Sequence, residues 1–106
     1  MEKNFFFKKI IELKNSLDYQ ENSIVSKTLI NNGNNSVTVF AFDLGQDIAT
    51  HSAPVDAMVQ VLDGEVEITI SGEKFSLKEG DIIIMPKGEP HALVAKTKFK
   101  MMLVKI

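Results

Sequence analysis

Two histidines are the only imidazoles in the chain: His51, within Ala-Thr-His-Ser-Ala-Pro-Val-Asp-Ala-Met, and His91, within Pro-Lys-Gly-Glu-Pro-His-Ala-Leu-Val-Ala. Each stands close to a proline and just ahead of an apolar run, so the two occupy similar local settings. Imidazole is the commonest metal-ligating side chain. The pair therefore raises three alternatives: a divalent ion whose shell water completes, a metal-free pocket for a small molecule, or two interior side chains that merely satisfy each other and a water. Other chemistries have less support. There is no cysteine, which removes thiolate nucleophiles, disulfides and sulfur-rich zinc sites together. Ser52 adjoins His51 and would face the opposite side of a strand, and no serine sits in a glycine-flanked elbow. The acidic residues, Glu65, Glu67 and Glu73 among them, fall at turns and on polar strand faces, which does not suit a paired-carboxylate hydrolase.

Composition narrows the partners. The 106 residues carry a net charge of -2, and all 12 basic side chains are lysines. Without arginine there is no planar fork to grip phosphate or guanine, so direct nucleic-acid binding is not expected, although lysine still meets phosphate as a point charge. Lys96, Lys98 and Lys100 alternate, which predicts one solvated strand face. A hydrophobic share of 44% and a charged share of 25% suit one soluble globular domain over residues 1–106. No apolar run is long enough to cross a bilayer. The start is interrupted by lysines and lacks a small-residue cleavage site, so the reading is no secretory signal, no membrane partner and a cytoplasmic location.

The elements that must position the histidines read as strands. Alternating or β-branched runs cover residues 24–30, 37–44, 57–62, 65–70, 73–78, 81–85 and 99–106, separated by turn residues. Asn31, Asn32, Gly33, Asn34 and Asn35 predict a polar hairpin tip. Asp63-Gly64 predicts the best-defined hairpin, joining residues 57–62 to 65–70. Val66, Ile68 and Ile70 should face the core, and Phe99, Met101 and Leu103 should share an interior face opposite Met102, Val104 and Ile106. Residues 81–85 are apolar on both faces, which predicts cover from a second sheet and from a partner subunit. Residues 5–14 predict either a helical turn or an extended arm packed on the barrel or on a second chain. Eight or nine short strands in this length point to an all-β, antiparallel double-sheet jelly-roll barrel with an N-terminal arm, whose mouth is a usual ligand site.

Two stretches sharpen this. Residues 45–64 resemble the first signature of the cupin superfamily, and residues 80–95 resemble the second. Gly45, His51, Gly64, Gly80, Pro86, Gly88 and His91 stand at the matching places. The resemblance implies a small stand-alone cupin barrel, RmlC-like, from about Val37 to the end. In metal-binding cupins three histidines and a glutamate hold one divalent ion. Here the second histidine position is Ala53, the glutamate position is Ala57, and the position that is often asparagine is Ala95, so the metal motif is degraded.

The expected pocket is lined by His51, His91, Met101, Ala53 and Ala57, with His51 and His91 as the ligands should a divalent ion be the cofactor. Met101 reads first as a core filler, and second as a soft donor that with two imidazoles would suit Cu(I). Asp56 should point away from the cavity unless Pro54 bends the strand, Glu89 could reach the rim, and Gln60 should lie on the outer face. The function this supports is binding of a small molecule in the barrel mouth by a homodimer, with or without metal. The alternatives are a metal-dependent oxygenase or isomerase, and a sensor component acting with a regulatory partner.

Overall fold

Two antiparallel sheets enclose one apolar core in the computed structural model, which describes residues 4–106. Residues 1–3, which the expected domain and the reading of the start include, lie outside the described residues. The strands are β1 (Ile24–Asn32), β2 (Asn35–Phe42), β3 (Asp47–His51), β4 (Ala57–Asp63), β5 (Glu65–Ile70), β6 (Glu73–Lys78), β7 (Ile82–Met85), β8 (His91–Ala95) and β9 (Phe99–Lys105). One sheet has the order β1-β2-β9-β4-β7 and the other β3-β8-β5-β6. This is the all-β double-sheet barrel that the alternation implies. Among the described residues no helix is long and apolar enough to cross a membrane.

The core follows the period-2 rule. Val66, Ile68 and Ile70 face inward from one sheet, and Val59, Val61, Phe99 and Met101 face them from the other, all buried. Phe42 and Phe99 are cross-strand partners whose ring centroids lie 5.1 Å apart, both fully buried. Two such rings are a large share of the apolar burial of a small domain.

Several expectations need correction. β4 and β5 do not form a hairpin: β4 pairs with β7 and β9, β5 pairs with β6 and β8, and the two strands belong to different sheets. Gly64 is a corner between layers. Its φ of 74° and the Lys98 carbonyl against it leave no room for a Cβ. Asp-Gly reports a positive-φ turn and does not say which strand will be the partner. The first hairpin is tighter than the asparagine run predicts, because Asn32 pairs with Asn35 and only Gly33 and Asn34 turn the chain.

Lys96, Lys98 and Lys100 do not share one solvated face. Lys96 and Lys98 are exposed in the bend before β9, whereas Lys100 is 7% exposed and donates from Nζ to the Lys14 carbonyl at 2.7 Å. The arm supplies that cover. It is a turn at residues 5–8 followed by extended chain and a 3-10 turn at Leu13–Asn15, tied to the barrel by Lys14 Nζ to Glu79 at 2.8 Å and Tyr19 OH to Asp63 at 2.6 Å. Phe5 and Phe7 nevertheless remain exposed. β7 is an edge strand, and Ile82 and Ile84 on its outer face are 55% and 59% exposed, so no described residue of this chain supplies the second cover expected there.

Candidate functional site at the barrel mouth

The two strands that alternation does not single out, β3 and β8, are the ones that carry the histidines. β8 lies between β3 and β5, while β3 is the edge of its sheet, and His51 and His91 are cross-strand partners. Their ring centroids are 4.4 Å apart with the planes at 67°, an edge-to-face pair. On β8, His91 and Leu93 are two residues apart and line the same cavity. On β3, Ile48 and His51 also line it, although three residues apart in a strand they should face opposite ways. A bulge between them resolves the conflict: Ile48 pairs with Leu93 and His51 with His91, so β3 holds one extra residue and its histidine is turned inward.

Each ring is fixed by its own backbone. His51 Nδ1 lies 3.0 Å from the Ala49 carbonyl oxygen, and His91 Nδ1 lies 3.2 Å from that of Glu89. A carbonyl only accepts, so Nδ1 carries the hydrogen in both bonds and a neutral ring leaves Nε2 as an acceptor. The rings differ in burial: His91 is 5% exposed, and His51, on the edge strand, is exposed. Burial holds His91 below the ordinary imidazole value, against the raising effect of the Glu89 carbonyl, and the nearby charges of His51 and Lys105 push it the same way as burial.

The cavity between the sheets at this end has a volume of about 130 Å³. It brings together all five residues expected there: His51, His91, Ala53, Ala57 and Met101. Phe40 and Leu103 add apolar wall, and Met101, 1% exposed, belongs to the core cluster as well as to the lining. The loop around Gly88 is tied to the first motif by its N–H on the Ala53 carbonyl at 2.9 Å. Ala95 lies in the core and away from the cavity. Neither nearby carboxylate enters. Asp56 Oδ1 accepts from the Lys87 N–H at 2.8 Å, Glu89 Oε1 accepts from the Ser71 hydroxyl at 2.9 Å, and neither residue lines the cavity.

Lys105 is the charged lining residue that the sequence reading passed over, beside the apolar Phe40, Ile48, Met85, Leu93 and Leu103. The signal was available, since it is the next member of the inward row Phe99, Met101, Leu103. Its partners across the sheet are Ser36 and Ala57, and the following Ile106 N–H donates to the Asp56 carbonyl at 3.0 Å, which holds the end of β9 in place.

This donor set does not fit a resident divalent ion. Two imidazoles face the cavity, alanines occupy the other two ligand positions of the motif, and the remaining polar group is an ammonium that repels cations. Among the described residues no three His, Asp or Glu side chains converge anywhere. Catalytic zinc sites use three protein ligands. The Met101 thioether would be a third donor for Cu(I) alone, and Met101 is packed into the core.

The family model for the cupin domain matches residues 38–106. The chain belongs to the cupin family. Among solved structures, a conserved protein of unknown function, SPY1581 from Streptococcus pyogenes, is 40% identical with a TM-score of 0.91, over 98% of this chain and 91% of that one. A cupin superfamily protein from Desulfitobacterium hafniense is 25% identical with a TM-score of 0.89, covering 98% and 95%. A Cupin 2 conserved barrel domain protein from Leptotrichia buccalis is 41% identical with a TM-score of 0.82, and the match spans 85% of this cupin but 44% of that chain. No curated protein matches the chain.

Proposed function

We propose that this cupin binds a small organic molecule in the barrel mouth without a resident metal ion, using the Nε2 atoms of His51 and His91 as fixed polar contacts. The observation that carries the reading is the shared tether: both rings spend Nδ1 on their own backbone two residues upstream, so both Nε2 atoms are free for one cavity. An apolar cavity with a few convergent polar groups is the usual form of a small-molecule site. The reading includes a homodimer, supported by the uncovered Ile82 and Ile84 on β7, and light scattering of the purified protein checks it.

Elemental analysis of untagged wild-type protein beside folded His51→Ala and His91→Ala variants tests the metal-free part. The expected result is no stoichiometric metal in any of the three. A near-stoichiometric ion that both substitutions remove would overturn the reading and make the pair a metal site.

A further inference from the structure

We infer that the ligand is a small hydroxylated carboxylic acid, its carboxylate held by the Lys105 ammonium and its hydroxyl groups donating to Nε2 of His51 and His91. This rests on the reading of the mouth as a ligand pocket and adds the chemical class of what enters it.

The charge comes first. Lys105 reaches the cavity as the last inward residue of β9, and among the described residues it makes no ion pair. Asp56 and Glu89, carboxylates within the two motifs, are bonded elsewhere. An ammonium beside the apolar walls of Phe40 and Leu103 interacts more strongly with an anion than it would in open water.

The imidazoles then restrict the anion. With Nδ1–H committed to the backbone, a neutral ring offers the cavity a lone pair, which attracts an O–H and repels a second carboxylate oxygen. Two acceptors beside one cationic donor are complementary to a molecule that carries O–H groups and one carboxylate. A purely aliphatic acid would leave both Nε2 atoms unpaired, and sulfate has no donor to offer them.

A second observation extends the same chemistry. A groove of about 230 Å³ shares Ala53 and Lys105 with the cavity, so the lysine borders both. One side of its lining is hydroxyl and amide, from Thr28, Ser36, Thr38, Asn31 and Asn34, and Pro54 and Val55 line it as well. Thr38 and Ser36 stand opposite Leu103 and Lys105 in the ladder and therefore share their inward face. Beyond the ammonium, further hydroxyls of the ligand meet donors and acceptors of the groove. The inner cavity has the volume of about four waters at liquid density, which suits the compact end of such a molecule.

The test is an NMR titration of the full chain with four probes, glycerate, its neutral amide glyceramide, propionate and sulfate, following the resonances of His51 and His91. Glycerate should bind tightest, with glyceramide about tenfold weaker, the scale of one lost charge-assisted hydrogen bond, and propionate, which lacks both hydroxyls, weaker by at least about tenfold. Lys105→Met should weaken glycerate about tenfold and leave glyceramide unchanged, with an unfolding midpoint matching wild type. His51→Ala should reduce the preference for glycerate over propionate, with the His91 acceptor retaining the rest. Glyceramide binding at the mouth as tightly as glycerate, or glycerate binding unchanged in Lys105→Met, would overturn the ligand class and leave the pocket reading standing. If none of the four probes moves either histidine, both fall.

Discussion

The same strands build two unlike ends of this barrel. β9 starts at Phe99, sealed against Phe42, and finishes at Lys105 in the mouth; β8 runs the opposite way, from His91 in the mouth to Ala95 in the core. At the closed end the inward positions are filled with rings and branched chains, and Gly64 lets the chain turn a corner against the Lys98 carbonyl. At the mouth, inward positions hold two alanines, two imidazoles and an ammonium around a cavity. The difference teaches where stability and recognition are separated. The closed end supplies apolar burial, and the mouth gives up part of that burial to keep polar groups facing an accessible space.

The contrast is broken most severely at Phe99. Phe99→Ala is expected to cost about 3–5 kcal/mol in urea unfolding, the range for an aromatic removed from a full core. Leu103→Ala, on the same face of the same strand at the mouth and only half-buried, should cost about 1–2 kcal/mol. Equal losses would show that the two ends contribute alike. Gly64→Ala comes next, at more than about 1 kcal/mol, because a positive φ and a blocked Cβ position act together. Unfolding at wild-type midpoint would remove the corner argument.

The mouth has a pH signature of its own. Burial lowers His91, so the unfolded chain takes up this proton near the ordinary value of 6.5 and the fold only at lower pH. The unfolded state thus binds more protons across that window, and stability rises with pH within it. The contribution is whole above 6.5 and is lost as the pH falls through the folded value. The titratable and charged groups facing His91 are His51 from β3 and Lys105 from β9, both of which oppose its protonation. His91→Gln should flatten the acid limb of the midpoint-against-pH curve relative to wild type, and an unchanged limb would contradict the assignment. This effect is the smallest of the set.

Much of the arrangement was legible in the residues. Period-2 alternation marks β5, β6 and β9 and their inward sides, and the resemblance to the cupin motifs implies that His51 and His91 share a site with Ala53 and Ala57. Lys105 was legible and passed over, since a charged residue ending an apolar row invites reading as solvent-facing. Other features had no local signal. Asp63-Gly64 encodes a backbone turn, and whether that turn makes a hairpin or a sheet-to-sheet corner depends on β7, β8 and β9, which arrive later in the chain. Lys100 has a lysine's composition, and its burial depends on an arm some eighty residues upstream. The bulge in β3 exists only as a mismatch of register with β8.

The sequence by itself determined the strand class, the inward rows and the two imidazoles, because side-chain alternation and turn chemistry act over a few residues. Tertiary structure alone decided which strands pair, and that the extra residue in β3 turns His51 toward His91 in the cavity that Lys105 also lines. Those are contacts between segments far apart in the chain, and register, once set by the packed sheets, selects the face each side chain occupies.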